Sequence, residues 1–337
     1  PADNAGNGEA AGDTQDFGGA ELVVATWGWA EAGLKTLAAD FESKYNCTIV
    51  VDPTSGNGDR LNKLMAEQND PTADVAPLTK SFAQTGNEAG LSEKIDTNIV
   101  TSIGDLYDIA VNADGYGPCY SLCRYGIMYN ADALEKAGLP APTSYEGLFD
   151  DQYAHMVALP DMTSTAGPYM LVAMAGSQED VTPAMELMQE KKDNIDLWYS
   201  TSSDVVNAFT TGEANIAVFM DINMPSLTDS GLNMVWVDAA EGSFSAPATA
   251  NVVKNCKNPE LAQLFVEYLI SKDTQDKIAE VMNEAPVNKN ATMDDSLKTY
   301  LAFGDESMNA LKEFDEAYIT ANKEAWIDTF QRTVAVQ

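Results

Sequence analysis

Short apolar runs alternate with amphipathic segments at the start of this chain. The runs at 22–27, 48–52 and 73–78 are typical of buried parallel strands, since both faces of such strands lie inside a protein. A helix is predicted after the second run, at 59–68, and another after the first run, with one apolar face formed by Leu34, Leu37, Ala38, Phe41 and Tyr45. This order predicts an α/β fold. It contains neither G-x-G-x-x-G nor a Walker A sequence, so the usual nucleotide-binding loops are excluded.

A second α/β block begins near residue 124. The segment 124–130 predicts a strand and 131–139 a helix that ends at Gly138. Strands are predicted at 155–161 and 216–221, and a helix that ends near Gly212 lies between them. A chain of 337 residues exceeds the usual size of one domain, so these two blocks predict two lobes.

The segment NPELAQLFVEYLISKDTQDKIAE (258–280) predicts two consecutive amphipathic helices. Asn258 followed by Pro259 is a typical helix start, and Asp273 marks the start of the second helix. The predicted buried positions are Leu261, Leu264, Phe265, Tyr268, Leu269, Ile278 and Met282. A final helical segment is predicted from Ser296, with buried positions at Leu311, Phe314, Tyr318, Ile319, Trp326, Ile327 and Phe330.

The charge of the chain is strongly acidic. It carries 52 Asp and Glu against 19 Lys and Arg, which gives a formal net charge of −33. Such a surface repels phosphate backbones, so no nucleic-acid partner is expected. A solvated acidic surface keeps a protein soluble, and it also fits a halophilic protein or one exported into a salty medium. No apolar run is long enough to span a bilayer.

Residues 1–20 are small, acidic and rich in Gly, Ala, Asp and Asn. This composition predicts a flexible leader without packed structure. No signal peptide is present, which indicates either a cytosolic protein or the mature part of an exported one. A polar leader ahead of a folded domain also resembles the tether of a lipoprotein, whose acylated cysteine would lie upstream of Pro1.

The four cysteines, Cys47, Cys119, Cys123 and Cys256, are consistent with export. Cys119 and Cys123 can form a disulfide if their segment turns, but a straight strand would hold them too far apart. Metal binding is the competing interpretation, and it is weak because the chain has one histidine and no second closely spaced cysteine pair. That histidine, His155, precedes an apolar strand and is expected to be structural. Neither a metal nor another cofactor is expected.

Several segments together resemble bacterial extracellular solute-binding proteins, which capture ligands for ABC importers. GEANIAVF (212–219) and 258–280 resemble the carboxy-terminal half of these proteins. Residues 126–150, with the STAGPY segment that follows, resemble the start of their second lobe. The segments DVAPLT, EAPVN and KEAWIDTFQ place the nearest similarity in the branch that binds spermidine and putrescine. The resemblance covers residues 21–335 through many loose motifs.

The resemblance implies a two-lobed fold of the periplasmic-binding-protein type (type II), with a hinged ligand cleft between the lobes. The chain would cross between lobes near Gly117–Arg124 and Ser245–Val252, and the functional motion would be closure about these segments. The implied boundaries are 21–122 plus 247–298 for lobe 1, and 123–246 plus 299–337 for lobe 2. The implied protein is a monomer in the periplasm or on the outer face of the cell membrane. It would deliver a small solute to a membrane permease and touch the membrane only through an upstream lipid anchor.

Ligands in open α/β sheets bind beyond the carboxyl ends of the strands. That rule selects Trp27, Trp29, Lys80, Ser81, Ser164 and Thr165, with Trp198, Tyr199, Met220 and Asp221 as further candidates. Each has a structural alternative. The tryptophans can pack under a loop, Lys80 can be a surface charge, and the Ser164–Thr165 pair can cap a helix.

The candidate residues fit a polyamine only in part. Polyamine recognition needs aromatic faces and several carboxylates. By comparison with the spermidine and putrescine binders, Trp27 matches their aromatic position after the first strand, and Asp221 compensates in part for the groups that are missing. Ala246 and Ala248 replace an acidic and an aromatic residue, and Lys80 replaces an aromatic one. The adjacent tyrosines of ferric-ion binders are also missing. The preferred ligand is a small zwitterion or anion, held through the lysine and a helix start, with its apolar part against the tryptophans.

Two other classes of protein remain as alternatives. The sequence lacks G-x-S-x-G and H-E-x-x-H motifs, so no enzyme is expected, although two of the many carboxylates could meet in a cleft. A surface interaction domain can use the same fold, since fold does not determine function. Closure on a small molecule without turnover would favour the binding protein.

Overall fold

The structure is a computed structural model in which residues 15–54 and 56–335 are described. The strands of this part are β1 (Ala20–Trp27), β2 (Cys47–Thr54), β3 (Val75–Thr79), β4 (Cys119–Asn130), β5 (Val157–Pro160), β6 (Leu197–Tyr199), β7 (Ile216–Met220), β8 (Met234–Val237) and β9 (Phe244–Val252). Its α-helices are α1 (Glu31–Tyr45), α2 (Asn57–Ala66), α3 (Lys80–Glu88), α4 (Ala131–Ala137), α5 (Gly167–Ala175), α6 (Thr182–Glu190), α7 (Ser202–Thr211), α8 (Met224–Asp229), α9 (Pro259–Ile270), α10 (Lys272–Met282), α11 (Gly304–Asn309) and α12 (Glu316–Thr333).

The strands form one mixed sheet in the order β2–β1–β3–β9–β4–β7–β5–β6, with β8 also paired to β4. β1 is parallel to β2 and β3, and β5 is parallel to β6 and β7. Between these parallel halves, β9 and β4 run antiparallel to each other and to β3 and β7. The α/β fold with two crossover segments is therefore confirmed. We use lobe 1 for the half of the sheet with β1 to β3 and lobe 2 for the half with β5 to β8.

The two crossover segments are extended strands that pair with each other. β4 and β9 pair from Cys119 to Tyr125, with a register shift between Cys119 and Ser121. Small residues in these segments allow the backbones to approach closely. A Cβ on Gly117, for example, would lie 2.1 Å from the carbonyl oxygen of Ala250.

The sheet is covered by helices, and its apolar side chains form two cores. The larger core is centred on lobe 1, where Leu22, Phe41 and Phe265 are fully buried, and it continues along the sheet into lobe 2. The second core belongs to lobe 2 and includes Phe149 and Phe330.

Local signals in the sequence determine most helix ends. Gly138 and Gly212 end α4 and α7 in the left-handed region, with φ of 69° and 78°, as predicted. α9 begins at Pro259, also as predicted. The start of α10 was predicted at Asp273, but Ser271 is its N-cap residue.

Part of the predicted leader is packed. Residues 1–14 lie outside the described part of the chain. The N–H of Phe17 donates to the carbonyl of Tyr45 (3.0 Å), and the N–H of Gly19 donates to that of Asn46 (2.7 Å). The ring of Phe17 also packs edge-on against Tyr45. The leader boundary at residue 20 was therefore wrong, because Phe17 anchors the chain to the end of α1.

All four cysteines are buried and unbridged. Cys119 and Cys123 lie on the same extended strand, which keeps their sulfur atoms apart. In the described part of the chain, no three His, Cys, Asp or Glu side chains are grouped so that they could hold a metal ion. Nor does any helix there combine the length and apolar character needed to cross a membrane.

Candidate ligand-binding cleft

Trp27 and Trp29 follow β1 and stack on each other. Their ring centroids are 5.7 Å apart, and their planes differ by 23°. Trp27 is only 8% exposed, whereas Trp29 is 53% exposed. The structural alternative, a tryptophan packed inside the protein, thus holds for Trp27. Trp29 presents an accessible aromatic face at the end of β1.

Arg60 lies against the ring of Trp27 and was missed by the sequence analysis. Its guanidinium carbon is 4.6 Å from the ring centroid, and the side chain is fully buried. Nη1 donates to the carbonyl of Pro77 (2.6 Å), and Nε donates to Oγ1 of Thr54 (3.0 Å). Burial lowers the pKa of Arg60 to about 10, so it remains charged at neutral pH. No pattern distinguishes it in the sequence, because arginines are also common on exposed helix faces.

Lys80 connects the two lobes. Its Nζ lies 2.8 Å from Oε1 of Glu313 and 3.3 Å from the carbonyl oxygen of Ile109. Glu313 closely precedes α12, which packs against α5 and α6 of lobe 2, so the ion pair crosses between the lobes. The side chains are 35% and 55% exposed, and a pair this accessible contributes no more than about 1 kcal/mol. A charged ligand can therefore compete for either partner.

Ser81 and Tyr169 also meet between the lobes. The Tyr169 hydroxyl donates to Oε2 of Glu316 at 2.5 Å and interacts with the hydroxyl of Ser81. Burial raises the pKa of Glu316, and the hydrogen bond from Tyr169 opposes this rise. Tyr169 belongs to the STAGPY segment, but its partner lies 147 residues away. That separation explains why the sequence did not reveal Glu316.

Four aromatic rings, which we call the cleft aromatic group, lie beside this contact: Tyr125, Tyr169, Phe244 and Phe314. Phe244 stacks on Tyr125 and on Tyr169, with centroids 5.2 and 5.9 Å apart, and Tyr169 lies 5.7 Å from Phe314. Tyr125 and Phe244 are buried, whereas Tyr169 and Phe314 are partly exposed. The group thus offers aromatic surface for an apolar or cationic ligand group.

Ser164 and Thr165 differ in their roles. The Ser164 Oγ accepts a hydrogen bond from the N–H of Gly167 (3.1 Å), so Ser164 supports the start of α5. Thr165 is exposed. The structural alternative of helix capping therefore applies to Ser164, and it does not prevent contact with a ligand.

Met220 and Asp221 end β7 beside the crossover. The Cys123 Sγ lies 3.9 Å from Sδ of Met220, which is partly exposed. Asp221 is fully buried, and it accepts the N–H of Arg124 (3.1 Å) while its Oδ2 lies 3.6 Å from Arg124 Nε. Burial raises the pKa of Asp221 to about 8, although Arg124 opposes the rise. Asp221 is thus engaged inside the protein, where it cannot act as an accessible carboxylate for a polyamine.

Trp198 and Tyr199 use their side chains within lobe 2. The Trp198 ring packs edge-on against Phe330, with centroids 4.9 Å apart. The Tyr199 hydroxyl donates to the carbonyl of Val218 (2.6 Å), and its ring packs against Phe219. β6 lies at the edge of the sheet, where Tyr199 is buried in the core and Trp198 is partly exposed.

The two alanines that replace polyamine-binding residues lie on β9. Ala246 pairs with Cys123 of β4, and its carbonyl oxygen lies 3.6 Å from the Cys123 Sγ. Ala246 is partly exposed, while Ala248 is buried and pairs with Thr79. Neither position supplies the charge or ring that polyamine binding would require.

The chain matches known proteins over most of its length. The sequence pattern of a family described as bacterial extracellular solute-binding protein matches residues 36–305. The thiamine-binding periplasmic protein of Escherichia coli is 24% identical over 305 residues, covering 88% of this chain and 86% of that protein.

Solved structures share the fold. The crystal structure of an ABC transporter from Clostridium perfringens has a TM-score of 0.79 and 30% identity, covering 93% of this chain and 99% of that chain. The spermidine/putrescine ABC transporter substrate-binding protein PotD of Streptococcus pneumoniae has a TM-score of 0.80 at 16% identity, covering 94% and 99%. At 16% identity, the similarity to PotD shows a shared fold only. Because the family pattern spans most of the chain, and because a relative at 30% identity is covered almost throughout, this chain belongs to the bacterial extracellular solute-binding proteins of ABC transporters.

Proposed function

We propose that this protein captures a small zwitterion or anion with an apolar part and delivers it to an ABC importer permease. The observation that carries the ligand class is the Lys80–Glu313 ion pair, 2.8 Å long, between a cation of lobe 1 and an anion of lobe 2. A ligand with an anionic group can replace Glu313 as the partner of Lys80, and its cationic group can pair with a carboxylate elsewhere in the cleft. A polyamine can satisfy only the carboxylate and would meet repulsion from the lysine.

The apolar part of the ligand is expected to contact aromatic side chains. Trp29 offers an exposed ring on lobe 1, and Tyr169 offers a partly exposed ring on lobe 2. Their positions on opposite lobes support closure of the cleft around the solute, with β4 and β9 as the hinge segments. The activity proposed is binding and release without turnover.

Thiamine is a second candidate ligand. Relatives from Escherichia coli and Salmonella typhimurium, each 24% identical, are named as thiamine-binding periplasmic proteins. The cleft aromatic group suits a flat heteroaromatic cation, and Glu316 lies beside it at Tyr169. Polyamine binding remains a weaker alternative, because Asp221 already faces Arg124.

We further propose that the protein is a monomer held at the outer face of the membrane by a lipid anchor upstream of Pro1. The small, polar residues of the leader support the role of a tether. Mass spectrometry of the protein isolated from its native membrane tests this proposal. A diacylglycerol-modified cysteine ahead of Pro1 is expected, and an unmodified amino terminus in the membrane fraction would contradict it.

Native mass spectrometry of protein purified without denaturation should reveal the bound solute. Calorimetry then compares γ-aminobutyrate, butyrate, thiamine and spermidine as probes. Lys80→Gln should weaken binding of a carboxylate-bearing probe by about 1.5–3 kcal/mol, or roughly 10- to 150-fold, since it removes a charged hydrogen bond. Lys35→Gln is the matched control, because Lys35 pairs with Glu31 on the surface of α1. Tighter binding of thiamine or spermidine after Lys80→Gln would overturn the anionic or zwitterionic ligand class.

A further inference from the structure

Four buried oxygen-bearing side chains meet at the crossover, and we call them the crossover oxygen cluster: Thr26, Tyr120, Ser121 and Glu284. None is more than 1% exposed. Thr26 Oγ1, Tyr120 OH, Ser121 Oγ and Glu284 Oε2 are all buried without a hydrogen bond of ordinary geometry. Unpaired buried polar atoms are costly and rare in native proteins, so a bound donor group that reaches these oxygens would be stabilised.

The sequence brings these groups together through β4. Glu284 precedes Ala285, which pairs antiparallel with Leu122. Because side chains alternate along paired strands, Glu284 lies on the face of β4 that carries Ser121. The Glu284 carboxyl is beside the Ser121 hydroxyl. The Tyr120 hydroxyl is close to Ser121 and Thr26, and the register shift of β4 lies at this position.

This face of β4 lies between the carboxyl ends of strands from both lobes. On one side, Thr26 immediately precedes Trp27 at the end of β1. On the other side, the Cys123 Sγ contacts Met220 at the end of β7. Met220 is partly exposed. Solvent-accessible surface therefore begins at the contact between Cys123 and Met220, next to Ser121 of the cluster. The cluster is therefore buried between the ends of β1 and β7, next to the partly exposed Met220.

The charges around Glu284 leave it without a counterion. The titratable groups that face it are Tyr120, Cys123 and Asp221. The nearby cations are engaged elsewhere, since Arg124 faces Asp221 and Arg60 lies beyond Tyr120 against Trp27. Burial raises the pKa of Glu284 to about 7, and the Ser121 hydroxyl opposes this rise. A cation at this point would find one carboxylate and three hydroxyl oxygens.

We propose that the crossover oxygen cluster is the subsite for the ligand's primary ammonium group. This inference rests on the proposed function, and it names the cationic end of a zwitterion whose anionic end reaches Lys80. An ammonium group has three donors, which Glu284 and the hydroxyls of Ser121 and Tyr120 can accept. Sequence analysis noted the EAPVN segment only as a family motif, without a role for Glu284.

The test uses methylammonium, the smallest primary ammonium, and therefore does not depend on the identity of the natural solute. Thermal unfolding at pH 8 is followed in methylammonium chloride up to on the order of 100 mM, against sodium chloride at equal ionic strength. Glu284→Gln is compared with Glu267→Gln, a matched control whose carboxylate binds the N–H and Oγ of Ser102 in lobe 1.

Methylammonium should raise the Tm of the wild type more than sodium does. The apparent Kd should weaken at least tenfold in Glu284→Gln and stay unchanged in Glu267→Gln. Equal shifts in the wild type and Glu284→Gln, or no specific shift in either, would overturn the subsite. A rise in Tm that sodium chloride reproduces in full would show that the cluster binds a metal cation, and this result would also overturn the ammonium subsite.

A second measurement keeps the proposal testable if Glu284→Gln folds poorly. A bound cation lowers the pKa of Glu284, so methylammonium binding to the wild type at pH 7 should release protons. Calorimetry in phosphate and MOPS, which differ in ionisation enthalpy and contain no primary ammonium group, detects that release, and identical heats would contradict it. A solute that compacts the wild type but binds Glu284→Gln equally well would refute the subsite alone. A methylammonium site without any solute-induced compaction would instead refute the proposed function.

Discussion

Trp27 and Trp29 should respond very differently to replacement by alanine. Trp27 is 8% exposed and covers Arg60 at 4.6 Å, whereas Trp29 is 53% exposed. Trp27→Ala would open a cavity and remove a cation–π contact that is worth about 2 kcal/mol for a desolvated cation. The whole change should lower the free energy of unfolding by about 3–5 kcal/mol.

The thermal consequence follows from the size of the chain. Unfolding entropy of about 2.1 cal/mol/K per residue gives roughly 0.7 kcal/mol/K for 337 residues. Trp27→Ala should therefore lower the Tm by about 4–7 °C, measured by circular dichroism. Trp29→Ala removes an exposed ring and should change stability by no more than about 0.5 kcal/mol.

For solute binding, Trp29→Ala is the informative variant, in contrast to its small effect on stability. Trp29→Ala should weaken solute binding by about 0.5–1.5 kcal/mol, the worth of an aromatic contact, without altering the Tm. Calorimetry on the folded variants measures this loss. Equal Tm values for the two variants would refute the structural role of Trp27. Unchanged solute affinity in Trp29→Ala would refute its position in the cleft.

Two further perturbations test the buried Arg124 network and the ligand class. Arg124→Met removes the cation that faces Asp221, the ion pair with Asp238 and the hydrogen bond from Nη2 to the Tyr300 carbonyl, and urea denaturation should show a loss of about 3–5 kcal/mol. Arg332→Met, which removes an exposed pair with Asp328, is the control and should leave the urea midpoint nearly unchanged, so equal losses would refute the structural role of Arg124. Spermidine should bind no more tightly than about 1 μM at physiological salt, because Lys80 opposes it. A tight one-to-one calorimetric isotherm for spermidine would show that this chain binds the same ligands as the spermidine and putrescine branch.

Local signals in the sequence were sufficient for several elements and for the α/β class, while the two-lobed fold was implied by the family resemblance. Apolar runs predicted β1 and β2, and glycines at Gly138 and Gly212 predicted helix ends, because both signals depend on neighbours along the chain. The conformation of the crossovers was not predictable in this way. A run of small residues such as SAPATAN is compatible with a bend or with close strand pairing, and only the partner strand decides.

The cleft was predictable in part for the same reason. The ends of β1 and β3 directed attention to Trp29 and Lys80, whereas the partner of the lysine, Glu313, is 233 residues away. Burial is also invisible locally. Tyr199 ends a strand as a ligand-binding residue would, yet its hydroxyl donates to a backbone carbonyl. Glu284 carries no sequence signal because acidic residues are abundant throughout the chain.

The central claim is that two lobes close around a small solute. The ion pair between the lobes is solvent-exposed and weak, so the lobes should open in solution and close when a solute bridges them. Small-angle X-ray scattering, with and without the solute identified by native mass spectrometry, measures this most directly. The radius of gyration should fall on binding and return when the solute is removed. An unchanged radius at saturating solute would contradict the account.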